Sequence, residues 1–149
     1  MTGTTRRRKV GFTLIELVVV LVVVAFLAAL ALPNLRRALV KARAAEVVGD
    51  LRTVQVAVLS YLGDHHEYPP DETLGVVPSG LAPYLPEEFS FAGEDYLIDY
   101  DEWADWRGFI SVGIVTENRE LGLAVLDLLG VNAWTDGNLV FSLLIEWSG

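Results

Sequence analysis

The chain has 149 residues, 52% of them hydrophobic and 21% charged, with 20 acidic against 11 basic side chains and no cysteine. That length accommodates one globular domain with an added segment, not two domains. The absence of cysteine excludes a disulfide framework, a thiolate zinc centre, an iron–sulfur cluster and a cysteine nucleophile.

Charge is distributed unevenly along the chain. Arg6, Arg7, Arg8 and Lys9 form one basic run, and Arg36, Arg37, Lys41, Arg43 and Arg52 form a second basic zone. Beyond Arg52 only Arg107 and Arg119 stand against seventeen acids, a balance that repels phosphate and excludes nucleic acid as a partner of this part. Solubility alone accounts for an acidic bias of this kind.

The first element in chain order is apolar. From Phe12 to Leu32 the sequence runs twenty-one residues in which only Thr13 and Glu16 are polar. As a helix rising about 1.5 Å per residue it spans roughly the thickness of a bilayer core. Val18 to Val24 is rich in β-branched residues, which favour strands in water, but a lone segment in lipid must satisfy its backbone internally and is therefore helical. The basic run at 6–9 places the N-terminus in the cytoplasm, although the second basic zone weakens the asymmetry.

Glu16 is the anomaly in this segment, because a carboxylate within the hydrocarbon costs on the order of 2.5–3.5 kcal/mol unless a partner offsets it. One account is proximity to the helix N-terminal dipole. Another is a cation. Cutting the chain between Gly11 and Phe12 creates a free α-amine four residues from Glu16, within reach along one helix face or from a neighbouring helix.

The residues Arg6-Arg7-Arg8-Lys9-Val10-Gly11 followed by Phe12-Thr13-Leu14-Ile15-Glu16-Leu17 resemble the leader and cleavage motif of type IV pilins and type II secretion pseudopilins. Pro33, twenty-one residues after Phe12, resembles the helix-kinking proline of that family. The resemblance implies cleavage after Gly11 by a prepilin peptidase, N-methylation of Phe12, and pairing of Glu16 with the Phe12 amine of an adjacent subunit during assembly. It further implies a pilin-like α+β fold and a single-pass prepilin in the inner (cytoplasmic) membrane, surrounded by lipid until an inner-membrane assembly platform transfers it to a periplasmic or extracellular filament. The partners so implied are further copies of the chain or mixed subunits, the peptidase and that platform. A rival reading takes Ala29-Leu30-Ala31 as a signal-peptidase site releasing a soluble protein from Leu32, but the apolar run is too long for a signal peptide and contains a glutamate.

Residues 1–11 are thus a leader, 12–32 a membrane or filament-core helix, 33–62 a stalk helix and 63–149 a head. Pro33 is expected to bend or break the helix just beyond the bilayer. Leu35, Leu39, Val47, Leu51, Val54, Val58 and Leu62 then recur at three-to-four-residue spacing, an amphipathic helix ended by Gly63 and Pro69-Pro70. The connector 63–95 is dense in proline and glycine, with one helical turn near 80–85.

In 96–149 the period changes to two. Strands are expected around 96–101, 110–114 and 139–147, with a helix capped by Asn118 and stopped by Gly130 whose Leu121, Val125, Leu128 and Leu129 form a face. The head is a small, mainly antiparallel sheet of three or four strands packed on the stalk, with the short helix beside it. Leu123 and Leu126 widen that helix's apolar surface and mark either a second buried side or a subunit contact.

Few residues invite chemistry. His65 and His66 are adjacent with no third ligand at zinc spacing. Asp99, Asp101 and Asp105, with the distant Asp136, are candidate calcium ligands, since relatives of the resembled family often hold calcium in the head; the default for such acids is a solvated face. No phosphate loop, nucleophile elbow or HExxH pattern occurs, so the chain is not read as an enzyme. The reading is a structural subunit of a type IV pilus-like or type II secretion pseudopilus filament, and the lack of the cysteine-closed C-terminal loop of many adhesive pilins inclines it towards a pseudopilin or a plain pilin of a lineage without that loop. The alternative is a monomeric membrane-anchored binding protein with an acidic, calcium-binding head.

Overall fold

A computed structural model describes residues 11–103, 109–137 and 140–147. The chain divides between Ala38 and Leu39 into two units.

Helix α1 occupies Leu14–His65 and its helical assignment continues through Pro33. Proline lacks an amide hydrogen, so the carbonyl four residues earlier, on Ala29, has no intrahelical donor there. Between residues 17 and 32 α1 is apolar on every face, and none of its apolar membrane-length window is buried. A helix of that composition needs lipid or other helices around it.

The second unit contains the core. Ala44, Val47, Val48, Leu51, Val54, Ala57 and Val58 of α1 are buried, the three-to-four spacing of one helix face. They pack with Leu81, Phe91, Ile98, Tyr100, Ile110, Val112, Ile114, Leu121 and Val125 in one cluster. Leu35 and Leu39, expected on the same stripe, are instead more than half exposed. α1 runs one turn beyond the expected Leu62, to His65. The ring of His65 stacks on Tyr61 with centroids 4.2 Å apart, and Tyr61 meets Tyr84 edge-on at 5.9 Å. Tyr84 ends the 3₁₀ turn Ala82–Tyr84 and donates from its hydroxyl to Asp64 at 2.8 Å, so the connector clamps the helix end.

The sheet has four strands: β1 (Leu97–Trp103), β2 (Phe109–Val115), β3 (Ala133–Thr135) and β4 (Val140–Trp147). Its order is β1-β2-β4-β3 and every pairing is antiparallel. Ile98, Tyr100, Ile110, Val112 and Ile114 put their alternate side chains into the core, as the period of two requires. Gly113 stands opposite Ser142, where a Cβ would come within 2.3 Å of the serine hydroxyl, so a side chain there would force β2 and β4 apart.

Helix α2 (Arg119–Leu129) begins where Asn118 accepts from the Leu121 amide at 3.2 Å and ends at Gly130, whose φ of 74° suits a residue without Cβ. It turns Leu121 and Val125 into the core, whereas Leu128, expected beside them, is 45% exposed. At about 100° per residue Leu128 falls on the Leu121 side but in the last turn of the helix, whereas Leu123 falls on the outer side.

Leu51 lies at the centre of the helix–sheet contact with no exposed surface. Leu51→Ala is expected to destabilise the head by about 2–5 kcal/mol, read as a lowered urea midpoint in tryptophan fluorescence of the detergent-solubilised chain.

Candidate functional site

The start of α1 carries the expected processing and assembly residues. Gly11 and Phe12 are exposed, Phe12 at 78%, and lie ahead of the first helical turn. Among the described residues, nothing approaches within 4 Å of the place a Cβ would occupy on Gly11. The peptide bond between them is open to an enzyme.

Glu16 is not a free carboxylate in this chain. Its Oε2 accepts from the Thr13 amide at 2.9 Å and from the Thr13 hydroxyl at 2.7 Å, while the Thr13 hydroxyl oxygen accepts from the Glu16 amide at 3.3 Å. With α1 starting at Leu14, Thr13 is the N-cap and Glu16 the third helical residue, which makes this reciprocal arrangement a capping box. It satisfies amides that a helix end in lipid could not leave open. The signal was present in the sequence as Thr-x-x-Glu before an apolar run, and Thr13 is the residue that sequence reasoning passed over.

The basic zone divides in two. Arg36, Arg37, Lys41 and Arg52 are exposed, but Arg43 is engaged in its own head, bonding Glu94 and lying 3.1 Å from Asp95. Beside it Tyr96 donates to Asp50 at 2.6 Å, and burial together with that carboxylate pushes the phenol's pKa up. These contacts fasten the segment before β1 to α1.

Asp99 and Asp101 occupy alternate positions of β1, opposite Gly113 and Ser111. Asp105 lies outside the described residues, and among the described residues no three histidines or acids gather as a metal site. Burial, followed by the charges of Asp101 and Asp71, raises the pKa of Asp99 from 3.8 to about 6.

That shift has a direction for stability. An acid whose pKa is higher folded than unfolded binds its proton more tightly when folded, so stability falls as pH rises from about 4 to about 6 and the penalty stands in full above. Asp99→Asn is therefore expected to raise the urea midpoint at pH 7.5 and leave it unchanged at pH 4.

Residues 6–32 match the prokaryotic N-terminal methylation motif. The type II secretion system core protein G of Klebsiella michiganensis is 32% identical over 111 residues, covering 72% of this chain and 78% of that protein. The protein of the same name from Pseudomonas aeruginosa is 30% identical over 114 residues, with 72% and 78% covered. That of Escherichia coli K12 is 39% identical over 69 residues, covering 46% of each chain. Among solved structures, a major type IV pilin from Clostridium difficile aligns with a TM-score of 0.49 at 21% identity, over 73% of this chain and 98% of that one.

A methylation motif on an apolar helix that leads into a small antiparallel head defines a prepilin-type filament subunit. The chain belongs to the type IV pilin and type II secretion pseudopilin superfamily. Its members are structural, not enzymatic, and membership implies peptidase processing and self-assembly of subunits that start in the inner membrane.

Proposed function

We propose that this chain is a filament-building pseudopilin of a type II secretion machine, in the manner of the core protein G relatives. The observation that carries the proposal is the reach of the similarity. It extends over 111 residues, 72% of the chain, and so reaches into the head, whereas the methylation motif itself is common to pili and pseudopili. The cysteine-free head agrees with this choice.

In this reading residues 12–32 hold the subunit in the inner membrane until the assembly platform extracts it. The apolar helices then stack, and burial of side chains now more than half exposed, such as Leu14, Ile15 and Leu21, drives the polymer. Glu16 exchanges Thr13 for the Phe12 amine of a neighbour. An unpaired carboxylate in a helix bundle is penalised at every other axial offset, so this pair sets register as well as neutralising charge.

The test is the intact mass and N-terminal fragment spectrum of the protein from its host's membranes, with electron microscopy of sheared material. A chain beginning at methylated Phe12 in filaments whose loss blocks protein export supports the proposal. A chain beginning at Met1 and never polymeric makes it an anchored monomer, and one beginning at Leu32 makes it a secreted protein.

A further inference from the structure

Two surfaces of the head complement each other. The first is a groove of about 470 Å³ between α1 and the 3₁₀ turn, walled by Val56, Pro83, Tyr84 and Pro86 with Arg52 and Thr53 at its edge. Val56 is 63% exposed, and Arg52 has no ion-pair partner among the described residues. Glu87 and Glu88 follow Pro86 outside the lining, so an incoming acid is favoured only on the Arg52 side.

The second surface is the outer face of α2. Glu120, Leu123 and Asp127 share it at positions i, i+3 and i+7, opposite the buried Leu121 and Val125, and Leu128, in the last turn, borders it on the side nearer Leu121. Leu123 is 50% and Leu128 45% exposed, and they flank Asp127. The helix's one cation, Arg119, is turned to the Gly137 carbonyl at 3.2 Å. One surface is therefore an apolar trough with an unpaired cation, and the other an apolar ridge carrying an acid.

We propose that the α2 ridge of one copy seats in the Arg52–Tyr84 groove of a second copy, with Asp127 at Arg52 and Leu123 and Leu128 against Val56 and the proline walls. The two surfaces are different parts of the chain, so the contact is head-to-tail and repeats without closing, as a filament requires. The inference rests on the filament reading and specifies how heads meet along it. The apolar contact supplies the area, and the ion pair selects the register.

The cysteine-free sequence makes the test clean. Thr53→Cys and Ala124→Cys, both at small residues, are placed in one full-length chain, which is expressed in the host and oxidised in sheared filaments. The expected result is a ladder of multimers, whereas either single variant gives dimers at most. Arg52→Glu should reduce the ladder roughly fivefold, and Arg52→Glu with Asp127→Arg should restore it. Filaments that form normally without the ladder overturn this contact and leave the filament reading intact. A ladder that the charge reversal does not weaken overturns the Asp127–Arg52 register. Absence of both filaments and ladder overturns contact and filament reading together.

Discussion

A chain carrying Gly11→Leu should persist at its full-length mass, with its leader attached and Phe12 unmethylated, and should form no filaments. The peptidase has to bring its catalytic groups against the carbonyl of Gly11, and glycine allows the closest backbone approach. A misplacement of about 1 Å in such a complex costs on the order of a hundredfold in rate. The substitution is informative because the chain itself does not resist it. Among the described residues nothing lies within 4 Å of the Cβ that Leu would add, and the head core begins at Ala44. An unchanged urea midpoint beside a lost cleavage product assigns the defect to processing. Normal cleavage of this variant would remove Gly11 from the processing site.

Why the sequence was legible in some places and not in others follows from the range of the forces. The apolar run of α1 and the alternating strands β1, β2 and β4 are local patterns, and each appeared where periodicity placed it. β3 is three residues long and exists through its pairing with β4, so no local period announced it. Arg43 reads as one more cation of the basic zone until the fold brings Glu94, fifty-one positions away, to its side. Leu35, Leu39, Leu123 and Leu128 show a different limit. Periodicity identifies apolar positions but does not say whether they face the chain's own core or another copy. At the candidate site the sequence singles out Gly11, Phe12 and Glu16 because they stand within one contiguous motif. The role of Thr13 was obscured because it was counted as a polar exception in a membrane span, not as the first half of a cap.

Glu16→Gln separates the capping contact of Glu16 from the intersubunit pairing proposed for it. Glutamine retains an oxygen that accepts from Thr13 and serves in a capping box, so the start of α1 should survive. What it loses is the negative charge. On the proposed pairing, the Phe12 amine of the neighbouring subunit, which keeps its positive charge after methylation, is then left without a counter-ion in an apolar bundle. Removing one partner of a buried pair costs about 3–5 kcal/mol, on the order of a hundredfold or more in the assembly equilibrium. Glu16→Gln is therefore expected to be cleaved and methylated as usual, to remain in the membrane fraction, and to give almost no sheared filaments. Glu16→Leu should lose filaments to a similar degree and also lose the cap. If Glu16→Gln assembles normally while Glu16→Leu does not, the carboxylate acts through Thr13 and helix initiation, and the charge pair that sets register between subunits has to be sought elsewhere on the chain.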